Sequence, residues 1–341
     1  MTLYVKQSGV WTPVPNLQLK QSGSWSQVQV GYVKVSGVWK QFYVPEVVVT
    51  ITSNTLNVNM QSLFTSAIWT NPAVSKRVVI NSGVVVGSTL PGTAAIRTGT
   101  GWSGTLNLDN YGEIQGAGGA ANSGAGGHAI LCEAAGMKIR NFGAIRGGGG
   151  GGGKGGNGGP GYYTSTVTEG PRFTGYPSGT RNYWSTQAGT SIDGAYWDNV
   201  NVFSGDVNSP VTTGGHTYTR GAQKASNTTA GGTTTNYFEI SRSTTTTTNT
   251  SGGTGGNGGR GQGYGQTNAA GSAGSAGGTN AGTGGTGGTG GTSGVAGATG
   301  NSGSAGNNGA GTAGTAGGAA GKAISGSSVL TNTGTIQGAT S

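Results

Sequence analysis

Charge, cysteine and long apolar runs are all scarce in this sequence of 341 residues, and each scarcity removes a class of protein. Asp, Glu, Lys and Arg together make up 8%, so this is not the charge-rich kind of disordered chain. The net charge is +9 from 18 bases and 9 acids. The bases are scattered, without the dense Lys/Arg clustering of a nucleic-acid footprint. That charge supports no more than attraction to acidic surfaces such as polysaccharide or phosphate. The single cysteine, Cys132, excludes an internal disulfide and is expected to be a small buried residue. No apolar run reaches the roughly 18 residues of a membrane span, so no membrane insertion is expected. The start MTLYVKQSGV has neither the basic region nor the apolar core of a secretory signal. The expectation is folding in a cytoplasm, with work outside the cell only as part of a particle.

Chemistry-bearing residues are equally thin. His128 and His216 match no metal-ligand spacing and no second cysteine assists them. Neither a metal nor a cofactor is expected. The glycine runs lack the Lys-Ser or Lys-Thr end of a phosphate loop. Asp193, Asp198 and Asp206 share one aromatic region. A carboxylate pair there would hydrolyse glycosides at a separation of about 5–9 Å, but acids in Asn/Gly-rich loops are more often turn formers. No catalytic residue is assigned, and a glycan depolymerase stays a minor alternative.

Glycine is what the chain has in excess: 76 residues, about three times the usual share. Residues 251–322 are almost entirely Gly, Ala, Ser, Thr and Asn, and Gly282 to Gly309 recur at every third position. A shorter run spans Gly147 to Gly161. A period of three is that of the polyproline II helix. Three readings compete. A flexible linker is the plain one. Collagen also wants much proline, and 251–322 has none. In a packed bundle, glycine edges let backbones approach and exchange hydrogen bonds that a lone helix leaves to water. Unbroken, 282–309 would span roughly 87 Å, so a compact domain must fold it back. The register change from Gly309 to Gly311, Gly314 and Gly317 fits such a turn.

Two further repeats decide between these readings. Residues 3–42 carry a 14-residue unit that aligns Lys6, Lys20 and Lys34, then Gly9, Gly23 and Gly37, then Trp11, Trp25 and Trp39. Each unit is a strand, a Ser-Gly turn and a strand. One hairpin cannot bury a core, so the units stack or dock on a partner, and the three Trp mark an attachment module. After Pro45, residues 46–115 alternate apolar and polar positions as strands with one buried face. The second repeat is LDNYGEIQGAGG at 108–119, IRNFGAIRGGGG at 139–150 and LTNTGTIQGATS at 330–341. Asn, Gly, Ile and Gly stand at matched places beside each glycine tract. A linker has no use for such punctuation, so the tracts are expected to fold as a β-anchored bundle.

Residues 162–250 interrupt the glycine pattern and hold most of the aromatic residues. Tyr176, Tyr183, Trp184, Tyr196, Trp197, Phe203, Tyr218, Tyr237 and Phe238 stand among Gly, Asn, Ser and Thr, the composition of adaptable recognition loops. They are the candidate binding residues. About half are expected to pack on one another and the remainder to be exposed.

The fold class expected is mostly β plus irregular structure. It comprises β-hairpin repeats at 1–45, a β-rich domain at 46–115, a glycine-rich polyproline II bundle at 116–161 and 251–341, and an aromatic insertion at 162–250. The glycine runs, the Asn-x-Gly-x-Ile-x-Gly strands and the insertion resemble tail-fibre adhesins of tailed bacteriophages, nearest the glycine-rich receptor-recognition proteins at the tips of T-even-like long tail fibres. The resemblance covers about residues 100–341. It implies a sandwich of polyproline II helices and distal loops that bind an outer-membrane protein or lipopolysaccharide of the host. It further implies an N-terminal part that attaches to other tail or fibre proteins of the virion. The long aromatic insertion and the 14-residue repeat depart from that pattern. A structural minor tail protein and an ice-binding protein are the alternatives.

Overall fold

The computed structural model describes residues 4–13, 17–28, 31–43, 46–174, 179–187, 193–205 and 209–340. The chain is mostly β; among the described residues the helical segments are the single turns Met60–Leu63 and Ser66–Trp69. Two compact units result, one made of Met1–Gly161 with Ser251–Ser341 and one of Tyr162–Thr250.

The first unit is built on a parallel β-solenoid. Strands Glu46–Ile51, Ser75–Ile80, Leu106–Asn110, Met137–Asn141 and Ser328–Asn332 pair in that order, all parallel. A second sheet stacks Thr55–Leu56, Val85–Gly87, Glu113–Gln115, Ala144–Arg146 and Thr335–Gln337. A third stacks Val58–Asn59, Ile96–Arg97, Ile130–Leu131 and Ile324–Ser325. Each of the first four coils gives one strand to every sheet and the fifth gives one to the first two, so alternate residues fall into inward columns. One column is Val49, Val78, Leu108, Ile139 and Leu330. Another is Val86, Ile114, Ile145 and Ile336. Most of these side chains are fully buried and belong to one core.

The Asn-x-Gly-x-Ile-x-Gly strands are one corner of three successive coils. Asn110 Nδ2 donates to Asn141 Oδ1 at 2.7 Å, and Asn141 Nδ2 donates to Asn332 Oδ1 at 2.7 Å. The amide ladder starts at Asn110 because the coil before it carries Ile80 in that column. Gly112, Gly143 and Gly334 turn the corner beside it. A Cβ on Gly143 would collide with the carbonyl oxygen of Gly112, and one on Gly334 with that of Gly143. On the outside of the same corner, Tyr111 and Phe142 stack with ring centroids 4.7 Å apart. Charges of alternating sign also cross the coils. Arg77 binds Glu46 at 2.8 Å and Asp109 at 2.6 Å, and Arg140 closes on Asp109 from the next coil. The buried ammonium of Lys76 is held by the carbonyls of Asn71, Val74 and Ser103.

The glycine runs fill a single turn of this solenoid. The fourth coil leaves after Ala144–Arg146 and returns at Ile324–Ser325. Between them, runs 147–161, 251–263, 266–278, 281–292, 295–306 and 309–322 carry almost no helix or strand, yet their backbones are bonded to one another throughout. They reverse at Tyr264-Gly265, Thr279-Asn280, Ser293-Gly294 and Asn307-Asn308. The register change after Gly309 therefore follows a turn. The turn at 293–294 leaves the three-residue register intact and is invisible in the pattern.

Run 147–161 is central. Its backbone is bonded to the four runs 251–263, 281–292, 295–306 and 309–322, and its first half also to 116–120 and 124–128. Bonds recur every third residue: Gly152, Gly155 and Gly158 donate to the carbonyls of Gly259, Gly256 and Gly253 at 2.7–2.8 Å. The number of neighbours explains the number of glycines. Residues 147–153 are covered on every side, and every one is Gly. Farther along, the outward positions carry Lys154, Asn157 and Pro160, all exposed. Runs 251–263 and 281–292 keep two Gly in three, with Thr254, Asn257, Thr283, Thr286 and Thr289 outward. The outer runs keep one in three, as at Gly271, Gly274 and Gly277.

Ahead of the solenoid, Tyr4–Gln7 pairs with Val10–Pro13, Gln18–Gln21 with Ser24–Gln27 and Gly31–Val35 with Val38–Tyr43, each antiparallel. Ser8-Gly9, Ser22-Gly23 and Ser36-Gly37 supply the positive φ angles that a two-residue hairpin turn needs.

Two measurements test this architecture. A Cβ on Gly153 would strike the Thr315 carbonyl oxygen, whereas the neighbouring Lys154 side chain is exposed. Gly153→Ala is expected to cost at least about 1–3 kcal/mol in thermal or denaturant unfolding. Lys154→Ala is expected to stay within about 0.5 kcal/mol. Asp109 gives a pH signature. Burial raises its pKa, but hydrogen bonds and charge from Arg140 and Arg77 outweigh this and hold it below the ordinary value of 3.8. Its contribution is present above that value and is lost as pH falls through the lower folded value. Asp109→Asn should remove that part of the acid dependence in unfolding titrations.

Candidate functional site

The unit Tyr162–Thr250 is an antiparallel sheet around one long strand, Thr234–Thr250. In order its strands are Val200–Gly205, Asp193–Trp197, Tyr183–Gln187, Thr234–Thr250, His216–Thr228 and Val211–Thr213, and Gly161–Arg172 also pairs with the long strand. Neighbouring residues on a strand face opposite sides, so each aromatic dipeptide is split between the two faces.

One face is the core of the unit. Trp184, Trp197, Tyr218 and Ile240 are buried together, with Phe203 and Phe238 packed against them. Trp184 meets Phe203 edge-on with centroids 4.6 Å apart, and Trp197 meets Tyr218 at 6.2 Å. The other face carries a row of half-buried tyrosines. Tyr183 lies opposite Tyr196 on the adjoining strand, with centroids 5.4 Å apart, and meets Tyr237 at 5.2 Å. Burial raises the Tyr183 phenol above its ordinary pKa, as does neighbouring Tyr196, while Arg181 opposes them. The phenol is thus a neutral hydrogen-bond donor. Tyr176 lies outside the described residues.

Sequence reasoning passed over the cations. Four of the five bases of 162–250 lie over its rings. Arg172 and Arg242 stand 4.3 Å and 4.8 Å from the Trp197 ring centre, Arg181 stands 4.2 Å from that of Tyr196, and Arg220 stands 5.0 Å from that of Phe238. Such contacts stabilise by about 0.5–1 kcal/mol at exposed sites. They give apparently scattered bases a place in the fold. No local signal marks them, since Arg181 reaches Tyr196, fifteen positions on, across the sheet.

Two hairpin tips border a cavity of about 360 Å³ in this unit. One tip is Asp198-Asn199, both with positive φ. It is pinned by Asn182 Oδ1, which accepts from the Asp198 N–H at 2.8 Å, and by Asn199 Oδ1, which accepts from the Arg181 N–H at 2.8 Å. The other tip is Gly214-Gly215. Trp197, Asn201, Thr213, His216, Tyr218 and Arg242 line the space. The Asp198 carboxylate is held by Arg172 at 3.0 Å and the Arg242 guanidinium by Glu169 at 2.8 Å. Asp206 lies outside the described residues, and only the backbone of Asp193 is described. Among the described residues no group of His, Cys, Asp and Glu is placed to hold a metal ion.

In the N-terminal hairpins, Trp11, Trp25 and Trp39 are 63%, 64% and 66% exposed, so none is the core of a small domain. Lys6, Lys20 and Lys34 lie 5.8, 5.8 and 6.0 Å from those ring centres, the same contact repeated three times.

No curated protein and no solved structure matches the chain significantly. The family model for the phage tail fibre adhesin Gp38 matches residues 46–250, which spans the first three solenoid coils, the central glycine run and the whole aromatic unit. A match over more than half of a chain that is mostly β makes this protein a member of the phage tail fibre adhesin Gp38 family, a virion component that acts in host attachment.

Proposed function

We propose that the chain is the receptor-contacting tip of a tail fibre, with the 162–250 unit meeting the host surface and the glycine unit serving as its support. The observation that carries this reading is the half-buried row of Tyr183, Tyr196 and Tyr237 with Arg181. Tyrosine gives large contact area at small entropic cost, and arginine and tyrosine are enriched where binding energy concentrates. The receptor is an outer-membrane protein or polysaccharide. The chain binds it without catalysis.

In this reading the glycine runs are polyproline II helices packed as a bundle. The recurrence of bonds and of buried positions at every third residue supports it. The N-terminal hairpins attach the chain to other virion proteins. Residues 1–45 contain four Lys and no acid, and each hairpin presents an exposed Trp with a Lys beside it. An acidic, partly apolar partner surface fits that pattern.

A phage carrying the chain with a short Gly-Ser link in place of 162–250 is the direct test. It should assemble and fail to adsorb. Unchanged adsorption would sink the proposal, and failed assembly would favour a structural tail role. Point variants separate contact from folding. Alanine at Tyr183, Tyr196 and Tyr237 together should lower the adsorption rate at least about tenfold, a loss within the range of interface anchors. Trp184→Ala should instead destabilise the unit by about 3–5 kcal/mol in thermal unfolding.

A further inference from the structure

We propose that the cavity between the Asp198-Asn199 and Gly214-Gly215 tips binds one neutral sugar unit of a host surface glycan. The proposal rests on reading 162–250 as the receptor-contacting unit, and it selects glycan over protein for this site. Two other cavities of similar size lie on the solenoid. One, of about 350 Å³ beside Ile324 and Leu330, has no charged side chain on its wall. The other, of about 430 Å³ beside Tyr111 and Gly143, has only Glu113, which Arg146 already holds at 3.1 Å. Neither gathers groups of mixed chemistry as this one does.

Size limits the ligand first. Small-molecule sites run from about 300 to 1,000 Å³, and 360 Å³ stands at the lower end. A single ring fits that volume better than an extended chain does. Charge limits it next. The wall carries one cation, Arg242, and one anion, Asp198, each paired with an opposite charge from Glu169 or Arg172. An anionic ligand would have to displace Glu169, and a cationic one would have to displace Arg172. A neutral ligand disturbs neither pair.

Hydrogen-bonding chemistry then points to hydroxyls. Asn201, Thr213 and His216 can each both donate and accept, as a sugar hydroxyl does. His216 uses Nδ1 on the Thr244 hydroxyl at 2.7 Å, and Nε2 remains for a ligand. Val200 and Val202 with Tyr218 supply an apolar wall for the C–H face of a ring. The guanidinium groups of Arg172 and Arg242 already lie over Trp197, so the indole is not the stacking platform.

The test uses the full chain and the methyl glycosides of glucose, galactose and mannose, with methyl glucuronoside as the anionic counterpart. Binding is read by saturation-transfer NMR and tryptophan fluorescence. At least one neutral glycoside should bind with a Kd on the order of 1 mM. Asn201→Ala and Thr213→Ala, both exposed positions, should weaken it at least about tenfold, whereas Lys154→Ala, at an exposed position of the other unit, should leave it unchanged. No neutral glycoside bound at about 50 mM, binding of the uronoside alone, or equal loss in Lys154→Ala would overturn the site. Lipopolysaccharide and capsule purified from the adsorbing host are then used as competitors. Competition by one identifies the source of the sugar, and competition by neither overturns the surface-glycan assignment. Loss of adsorption on deleting 162–250 without any sugar binding would leave the receptor reading standing and remove this one.

Discussion

Backbone-to-backbone hydrogen bonding without side chains in the way is the constraint on which the first unit depends. Glycine runs bury almost no apolar side chain, so the usual driving force is small there. Glycine also loses more freedom on folding than any other residue. What offsets that loss is the satisfaction of peptide groups across neighbouring runs, at distances of about 2.7–3.0 Å throughout run 147–161. Those bonds form only where no Cβ intervenes, which is why 147–153 is unbroken glycine and why side chains appear one by one as neighbours fall away.

Such a lattice needs an anchor with a core of its own. The solenoid provides it, because every coil stacks apolar columns on the coil before. The glycine runs leave and re-enter the fourth coil, and the amide ladder through Asn110, Asn141 and Asn332 joins that coil to its neighbours on both sides. Asn141 and Asn332 are far apart in sequence yet directly stacked. Bringing them together closes a long loop, and the entropic penalty for closure grows only slowly with loop length. The salt-bridged chain through Arg77, Asp109 and Arg140 lies on the same sheet and fixes its outer surface.

The sequence made the β character legible through alternation in 46–115, and the three-residue period marked the glycine runs whose backbones bond to one another. The solenoid itself was not legible, although LDNYGEIQG and IRNFGAIRG differ in position by one coil. Parallel pairing is a contact between distant segments, and the third copy at 330–338 is separated from the second by the entire bundle. In the aromatic unit, Tyr183-Trp184 and Tyr196-Trp197 declared strands with one ring on each side. They could not declare that the indoles, rather than the phenols, turn inward. That choice is made by Ile240, Phe203 and Phe238 from other strands. The arginines were hidden for the same reason, since each reaches its ring across the sheet rather than along the chain.

The way residues 162–250 leave the first unit has a consequence for exchange of parts. Run 147–161 and run 251–263 are antiparallel neighbours, bonded near their ends by the Gly158 N–H and the Gly253 carbonyl at 2.8 Å. To the lattice, everything between Gly161 and Ser251 is one hairpin connection. Doubling its length adds only about 0.6 kcal/mol of closure penalty. The junction is therefore a socket: a segment of different length or chemistry can occupy it without altering any bond of the glycine rows.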